Sequence, residues 1–137
     1  MVTLLLGGGY ERLRRIIMVG SRSYRDLIVW KKSVDLVSKI YVSTRAFPKE
    51  EMYGITSQIR RAGVSVPANI AEGQGRNSRG EFRQFLGIAQ GSLAELETLL
   101  IISGNLQYLT PSGTDELLKK CREVGRLLAG LKNSISD

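Results

Sequence analysis

The chain contains 137 residues, about the length of one domain. Its 20 Lys and Arg residues outnumber its 13 Asp and Glu residues, so the net charge is +7, and with 42% hydrophobic residues the composition is typical of a folded, basic globular protein. There is no histidine and only one cysteine, Cys121, which excludes catalysis by histidine, imidazole metal ligands and an intramolecular disulfide. We therefore expect no enzymatic activity, no metal and no cofactor, and a location in the reducing cytoplasm.

Residues 1–20 are predicted to form an extension outside the folded domain, which we assign to residues 21–137. The extension contains a run of three glycines and has no sustained helical period. Arg14 and Arg15, if both are encoded by AGG, would give a purine-rich ribosome-binding site shortly before Met18. Two interpretations stay open: a short disordered arm, or a native start at Met18, which would remove three arginines and one glutamate and lower the net charge from +7 to +5.

From Asp26 onward the apolar residues recur at helical spacing, and no alternating run is long enough for a strand. The first predicted helix spans about Asp26 to Ala46, and the second spans about Glu51 to Gln74. The second contains Pro67, which lacks an N–H and presses its ring against the preceding turn, so we expect a kink there, with a break as the alternative. The stripe assigned to the core of the first helix is Leu27, Trp30, Val34, Val37 and Tyr41.

The third predicted helix opens with Ser78 and Glu81 at the spacing of a capping box, and it runs to about Tyr108. The fourth begins after Thr110, with Pro111 in its first turn. Four helices joined by short connections predict an all-α, antiparallel up-down-up-down four-helix bundle. The predicted core stripes are Phe82, Leu86, Ala89, Leu93, Leu96, Leu100 and Ser103 in the third helix, and Leu117, Cys121, Val124, Leu128, Leu131 and Ile135 in the fourth.

Helices one and three each carry a second apolar stripe, which one small bundle cannot bury in addition to the first. An exposed apolar surface of this size is typical of association, so we predict a homo-oligomer, with broad core faces in a monomer as the alternative. Glu95 lies within the second stripe of helix three. Because a carboxylate is not buried unpaired, we expect it to meet an arginine of its own or a neighbouring subunit. The predicted interface residues are Leu36, Ile40, Phe85, Leu99 and Ile102.

Helix two carries a polar row beside its core face, and the loop that follows it is basic. The row is either an ordinary solvated face or a polar seam that adds hydrogen-bond donors to the basic loop. Five arginines in this region favour contacts with phosphate, whereas no recognition helix or stacking platform indicates specific base readout. The predicted polar residues are Gln58, Ser65, Asn69, Glu72 and Glu95, and the predicted nucleic-acid-binding residues are Arg60, Arg61, Arg76, Arg79 and Arg83.

Three segments carry a family resemblance: Asp26 to Trp30, Gln58 to Ala62 with Val64 to Gly73, and Gly91 to Thr98. The middle segment contains Arg-Arg and Pro-Ala-Asn-Ile-Ala-Glu-Gly strings, and Gly63 departs from the family pattern, where a second alanine is expected. They resemble the bacterial four-helix-bundle proteins best known as open reading frames in intervening sequences of large-subunit ribosomal RNA genes. The resemblance covers about Tyr24 to Ser134 and implies an all-α bundle, a ring-like homopentamer and no established enzymatic activity. A more distant similarity is to the accessory protein of diversity-generating retroelements, a basic pentameric bundle that binds nucleic acid and reverse transcriptase.

Two classes of function follow from these observations. The first is a non-catalytic, homo-oligomeric scaffold that binds RNA or other nucleic acid through its basic surface and has no membrane partner. The alternative is a protein–protein interaction module whose charge is incidental and which binds no nucleic acid. We favour the first, because repetition around a ring turns a modest charge per chain into a strong field.

Overall fold

The computed structural model describes residues 23–135, and the predicted extension over residues 1–20 and the start at Met18 lie outside them. The described chain is entirely helical, which confirms the all-α four-helix prediction. Short 3₁₀ turns precede α1 and join α1 to α2. The elements are the 3₁₀ turn Tyr24–Asp26, α1 Ile28–Thr44, the 3₁₀ turn Lys49–Glu51, α2 Ile55–Gln74, α3 Arg79–Asn105 and α4 Pro111–Ser134.

The starts of α3 and α4 carry the predicted capping groups. Ser78 Oγ accepts a hydrogen bond from the Glu81 backbone N–H at 3.1 Å, which confirms Ser78 as the cap. The Glu81 carboxylate accepts from the Ser78 hydroxyl at 3.2 Å, so this half of the predicted capping box pairs two side chains. Thr110 Oγ1 accepts from the Gly113 N–H at 3.0 Å, with Pro111 as the first residue of α4. Both helices therefore begin where the sequence predicts.

Neighbouring helices contact each other in opposed order along the chain. Ser65 Oγ of α2 lies 2.8 Å from Ser92 Oγ of α3. Gly73, later in α2, approaches Phe85, earlier in α3, so the two helices are antiparallel. The other neighbouring helices show the same order. α1 approaches α2 at Thr44–Arg60 and Val37–Gly63, and α3 approaches α4 at Gln90–Lys132 and Gly104–Thr114. Between α1 and α4, Lys32 pairs with Glu123, and Val42 and Glu116 line one groove.

The buried side of α1 differs from the predicted one. The predicted core residue Tyr41 is 40% exposed, whereas Leu36 and Ile40 are 1% and 0% exposed within a single chain. The prediction that Leu36 and Ile40 form an oligomer interface is therefore wrong, because the bundle itself encloses them. The buried residues of α1 are Val29, Ser33, Leu36, Ile40 and Thr44, while Trp30, Val34 and Val37 are half-buried.

Two buried hydroxyl groups explain this difference. Ser33 Oγ donates to the carbonyl of Trp30 and Thr44 Oγ1 donates to the carbonyl of Ile40, each at 2.8 Å. A hydroxyl satisfied by its own helix can enter the core without losing a hydrogen bond. The stripe that looks more polar in the sequence is therefore the one that is buried.

The predicted core stripes of α3 and α4 are confirmed, since all of their residues are buried. Leu99 is also only 8% exposed, so its assignment to the oligomer interface is wrong for the same reason as in α1. α2 continues as one α-helix through Pro67, which contradicts a break, and the kink stays a prediction.

α3 is the one helix of the described chain that is long and apolar enough to cross a bilayer, judged by length and composition alone. A helix of a soluble bundle passes the same test when its inner side packs against two neighbours, as that of α3 does against α2 and α4. Eight residues of α3 are buried in this way. We therefore describe α3 as a core helix, and the expectation of no membrane partner stays a prediction.

Candidate nucleic-acid interface

A groove of about 630 Å³ lies between the first turns of α3 and the last turns of α4. Three positively charged side chains line it: Arg79 and Arg83 from α3 and Lys132 from α4. Within residues 23–135, the remaining lining residues are Gly80, Gln84, Gly87 and Ile135, which are uncharged. The groove is therefore suited to a negatively charged ligand.

Helix geometry and one hydrogen bond bring the three cations together. Arg79 and Arg83 are four residues apart in α3, which places them on the same side of the helix, one turn from each other. Lys132 Nζ donates to Gln90 Oε1 at 3.1 Å. The same amine passes over Gly87, where an added Cβ would lie only 3.5 Å from it. Lys132 is thus held against the helix that carries both arginines.

The groove lies at the start of a long helix. α3 has 27 residues, and its first turn, which contains Arg79 and Gly80, is exposed. The free N–H groups and the dipole of such a helix make its N-terminus favourable for an anion. The backbone therefore adds to the positive potential of the three side chains.

Arg76 does not line the groove. Its guanidinium lies 2.8 Å from the Glu72 carboxylate and 4.9 Å from the centre of the Phe85 ring. The ion pair is exposed on both sides and screened by solvent, so it contributes little to stability. Arg76 therefore lies at the corner between α2 and α3, with its charge partly balanced by Glu72.

Arg60 and Arg61 also lie away from the groove. Arg60 is near the start of α2, where Nε donates to Thr44 Oγ1 at 3.0 Å and the guanidinium carbon lies 4.6 Å from the centre of the Tyr41 ring. Arg61 is exposed on α2. The five predicted arginines thus do not form one surface: the structure brings together Arg79 and Arg83 and adds Lys132, which the sequence did not indicate.

The polar row of α2 is divided in the same way. Ser65 and Asn69 form a half-buried polar contact between α2 and α3: Asn69 Nδ2 donates to the Ser65 carbonyl at 2.8 Å and to Ser65 Oγ at 2.9 Å, and Ser65 Oγ contacts Ser92 Oγ. Gln58, Glu72 and Glu95 are exposed. Only the middle of the row is therefore a polar seam, and its ends face solvent.

The predicted interface residues also separate into two groups. Leu36, Ile40 and Leu99 belong to the core, as described above. Phe85 is half-buried beneath Arg76, and Ile102 is 40% exposed on the outer side of α3. The apolar surface that stays open on α3 therefore centres on its exposed isoleucines.

Cys121 is buried in α4, and burial, followed by the negative charge of Glu97, raises the pKa of its thiol to about 12. A thiol with so high a pKa is a poor nucleophile at neutral pH. Between residues 23 and 135, no three His, Cys, Asp or Glu side chains come together as a metal site. The charged groove is therefore the strongest candidate site of the described chain.

The fold and the groove define a small, basic four-helix bundle with a positively charged groove at one end. The chain matches the 23S rRNA-intervening sequence protein family over residues 25–130, and it belongs to that family. A crystal structure of a protein of unknown function from the S23 ribosomal protein family of Bacteroides thetaiotaomicron VPI-5482 is similar, with 25% sequence identity and a TM-score of 0.71. The similarity covers 77% of this chain and 98% of that one. No curated protein is similar enough to count as a match. The relation to the retroelement accessory protein stays a prediction.

Proposed function

We propose that this protein is a non-catalytic, homo-oligomeric scaffold of the cytoplasm that binds RNA along its phosphate backbone. The observation that carries the proposal is the groove in which Arg79, Arg83 and Lys132 converge from two helices.

The residues of the groove favour phosphate over bases. Guanidinium groups match phosphate oxygens with paired hydrogen bonds, and lysine adds a point charge. None of the lining residues is aromatic, so the groove lacks the stacking platforms that bind unpaired bases. Binding of this kind depends strongly on salt and weakly on sequence.

Assembly into a homo-oligomer would place several copies of this groove on one particle. Ile88, Ile101 and Ile102 of α3 and Val42 of α1 are each at least 40% exposed, which favours contact with a further copy. A homopentamer, the assembly that the family resemblance implies, would carry five grooves. Several moderate phosphate sites on one particle give a much higher effective affinity for a long RNA.

A protein-interaction module is the second candidate, and one observation favours it. Tyr53, which follows the 3₁₀ turn before α2, is 94% exposed, and the neighbouring Met52 is 53% exposed. Exposed aromatic and Met side chains are enriched in protein interfaces. They lie at the end of the bundle opposite the basic groove, so a protein partner there would not need the groove.

The test compares two triple variants that remove the same charge. The groove variant removes the three cations that line the groove and is Arg79→Gln/Arg83→Gln/Lys132→Gln. The control variant removes three cations from elsewhere on α4 and is Lys119→Gln/Lys120→Gln/Arg122→Gln. Fluorescence anisotropy with two unrelated single-stranded RNAs at about 0.1 M salt measures binding. We expect only the groove variant to lose most of its affinity, equally for both RNAs. Absence of binding by the wild-type protein would favour the protein-interaction module instead.

A further inference from the structure

Arg60 is held in a fixed position by α1. Its guanidinium lies over the Tyr41 ring, and its Nε donates to Thr44 Oγ1, which is itself fixed by a hydrogen bond to the Ile40 carbonyl. An arginine has five N–H donors, so four donors of the planar group remain for another acceptor. A guanidinium that is already ordered loses little entropy when a carboxylate binds it.

Apolar side chains surround this arginine on the face between α1 and α2. Val64 is one helical turn from Arg60 and 42% exposed, and Tyr41 is 40% exposed. Val34 and Val37 of α1 are half-buried beside them. A fixed cation within an apolar surface is the arrangement expected at the centre of a protein interface rather than at a solvated surface.

The outer side of α3 carries the complementary arrangement. Glu95 is exposed midway between Ile88 and Ile102, seven residues from each, so the three side chains lie on one side of the helix. Ile88 is 46% exposed and Ile102 is 40% exposed. The α3 surface therefore presents one carboxylate between two exposed isoleucines.

Arg60 and Glu95 lie at nearly the same height along the bundle. The Ser65–Ser92 contact gives a common reference level for α2 and α3. Arg60 is five residues from Ser65, and Glu95 is three residues from Ser92 in the same direction, because the helices are antiparallel. At about 1.5 Å per residue the two heights differ by about 3 Å, which a long side chain spans.

We propose that Glu95 of one copy binds Arg60 of the next, so that the outer side of α3 docks on the face between α1 and α2. This inference rests on the homo-oligomer proposed above and names its contact. The two surfaces are different, so the contact is heterologous and repeats from copy to copy. Because the paired residues lie at similar heights, successive copies need little rise, which favours a closed ring over a filament.

Charge reversal tests the pairing by sedimentation velocity. Glu95→Arg places a second guanidinium against Arg60, so we expect the oligomer to dissociate at concentrations on the order of 30-fold higher than for the wild type. Arg60→Glu should have the same effect. The double variant Arg60→Glu/Glu95→Arg restores opposite charges, and we expect it to restore the oligomer.

Two controls separate the possible outcomes. Asp115→Arg makes the same charge change at an exposed position of α4. Arg61→Gln removes the arginine of the same chain that lies nearest in height to Glu95. Both variants should leave the oligomer intact. A wild-type oligomer that is unaffected by Glu95→Arg would overturn the pairing while leaving the homo-oligomer standing. A monomeric wild-type protein would overturn the homo-oligomer itself. Circular dichroism checks that each variant is folded. If Arg60→Glu does not fold, Arg60→Gln replaces it, and an oligomer unaffected by Arg60→Gln would overturn the pairing.

Discussion

Gln90 Oε1 accepts a hydrogen bond from Lys132 Nζ at 3.1 Å, and this contact joins the middle of α3 to the last turns of α4. It places the ammonium group beside the groove that Arg79 and Arg83 line. The third cation of the groove, Lys132, therefore lies 42 positions after Gln90 in the chain.

Gln90→Leu removes this acceptor without changing the charge of the groove. We expect RNA affinity to fall about two- to fivefold, because the lysine ammonium loses one hydrogen bond that fixes its position. The dependence of affinity on salt should not change, since the number of cations is the same. Anisotropy titrations measure both quantities, and unchanged affinity would show that the position of Lys132 is unimportant.

The polar seam between α2 and α3 should contribute to stability. Asn69→Leu removes both hydrogen bonds to Ser65 in a half-buried position, so we expect the free energy of unfolding to fall by about 1–2 kcal/mol. Glu72→Ala, in the exposed ion pair with Arg76, should change it by less than about 0.5 kcal/mol. Urea denaturation of the two variants measures the difference. Changes of less than about 0.5 kcal/mol for both variants would return the whole row to an ordinary solvated face.

Gly73 marks the closest approach of α2 to α3. A Cβ there would lie 2.6 Å from Phe85 Cβ and 3.1 Å from Phe82 Cδ1, so Gly73→Ala should lower stability by about 1–3 kcal/mol in spite of the better helix propensity of alanine. The matched control is Gly91→Ala, because nothing lies within 4 Å of a Cβ at that position in α3. We expect the control to gain about 0.5–1 kcal/mol. Thermal denaturation that shows a gain for both would contradict the close packing at Gly73.

Cys121 should be inert in the folded protein. Burial keeps its thiol protonated, with a pKa raised to about 12, so iodoacetamide at pH 8 should label it only after unfolding. Intact mass spectrometry with and without urea measures the labelling. Rapid modification of the native protein would show that α4 opens readily at this position.

The helices could be predicted from the sequence because their signals are local. Apolar spacing, the Ser78 cap of the Glu81 N–H and the proline after Thr110 each involve residues within a few turns of one another, and the structure confirms them. The buried side of α1 could not be predicted in this way. Ser33 and Thr44 look polar in the sequence, and only their hydrogen bonds to the helix backbone show that they fit the core.

The candidate site was only partly predictable for a related reason. Arg79 and Arg83 are neighbours in one helix, so a run of basic residues is enough to find them. Packing of α3 against α4 places Lys132 beside these two arginines. Arg60 lies away from them, because it contacts Tyr41 and Thr44 of α1. The only sequence signal for Lys132 is the small residue Gly87, which leaves room for the lysine side chain.

The salt dependence of RNA binding tests the central claim most directly. Plots of log affinity against log salt concentration should be linear for the wild-type protein and for Arg79→Gln/Arg83→Gln/Lys132→Gln. If the three cations each contact one phosphate of a single-stranded RNA, the slope of the triple variant should be smaller by about 2. The same slope for both proteins, or a wild-type affinity that does not change with salt, would contradict phosphate binding in this groove.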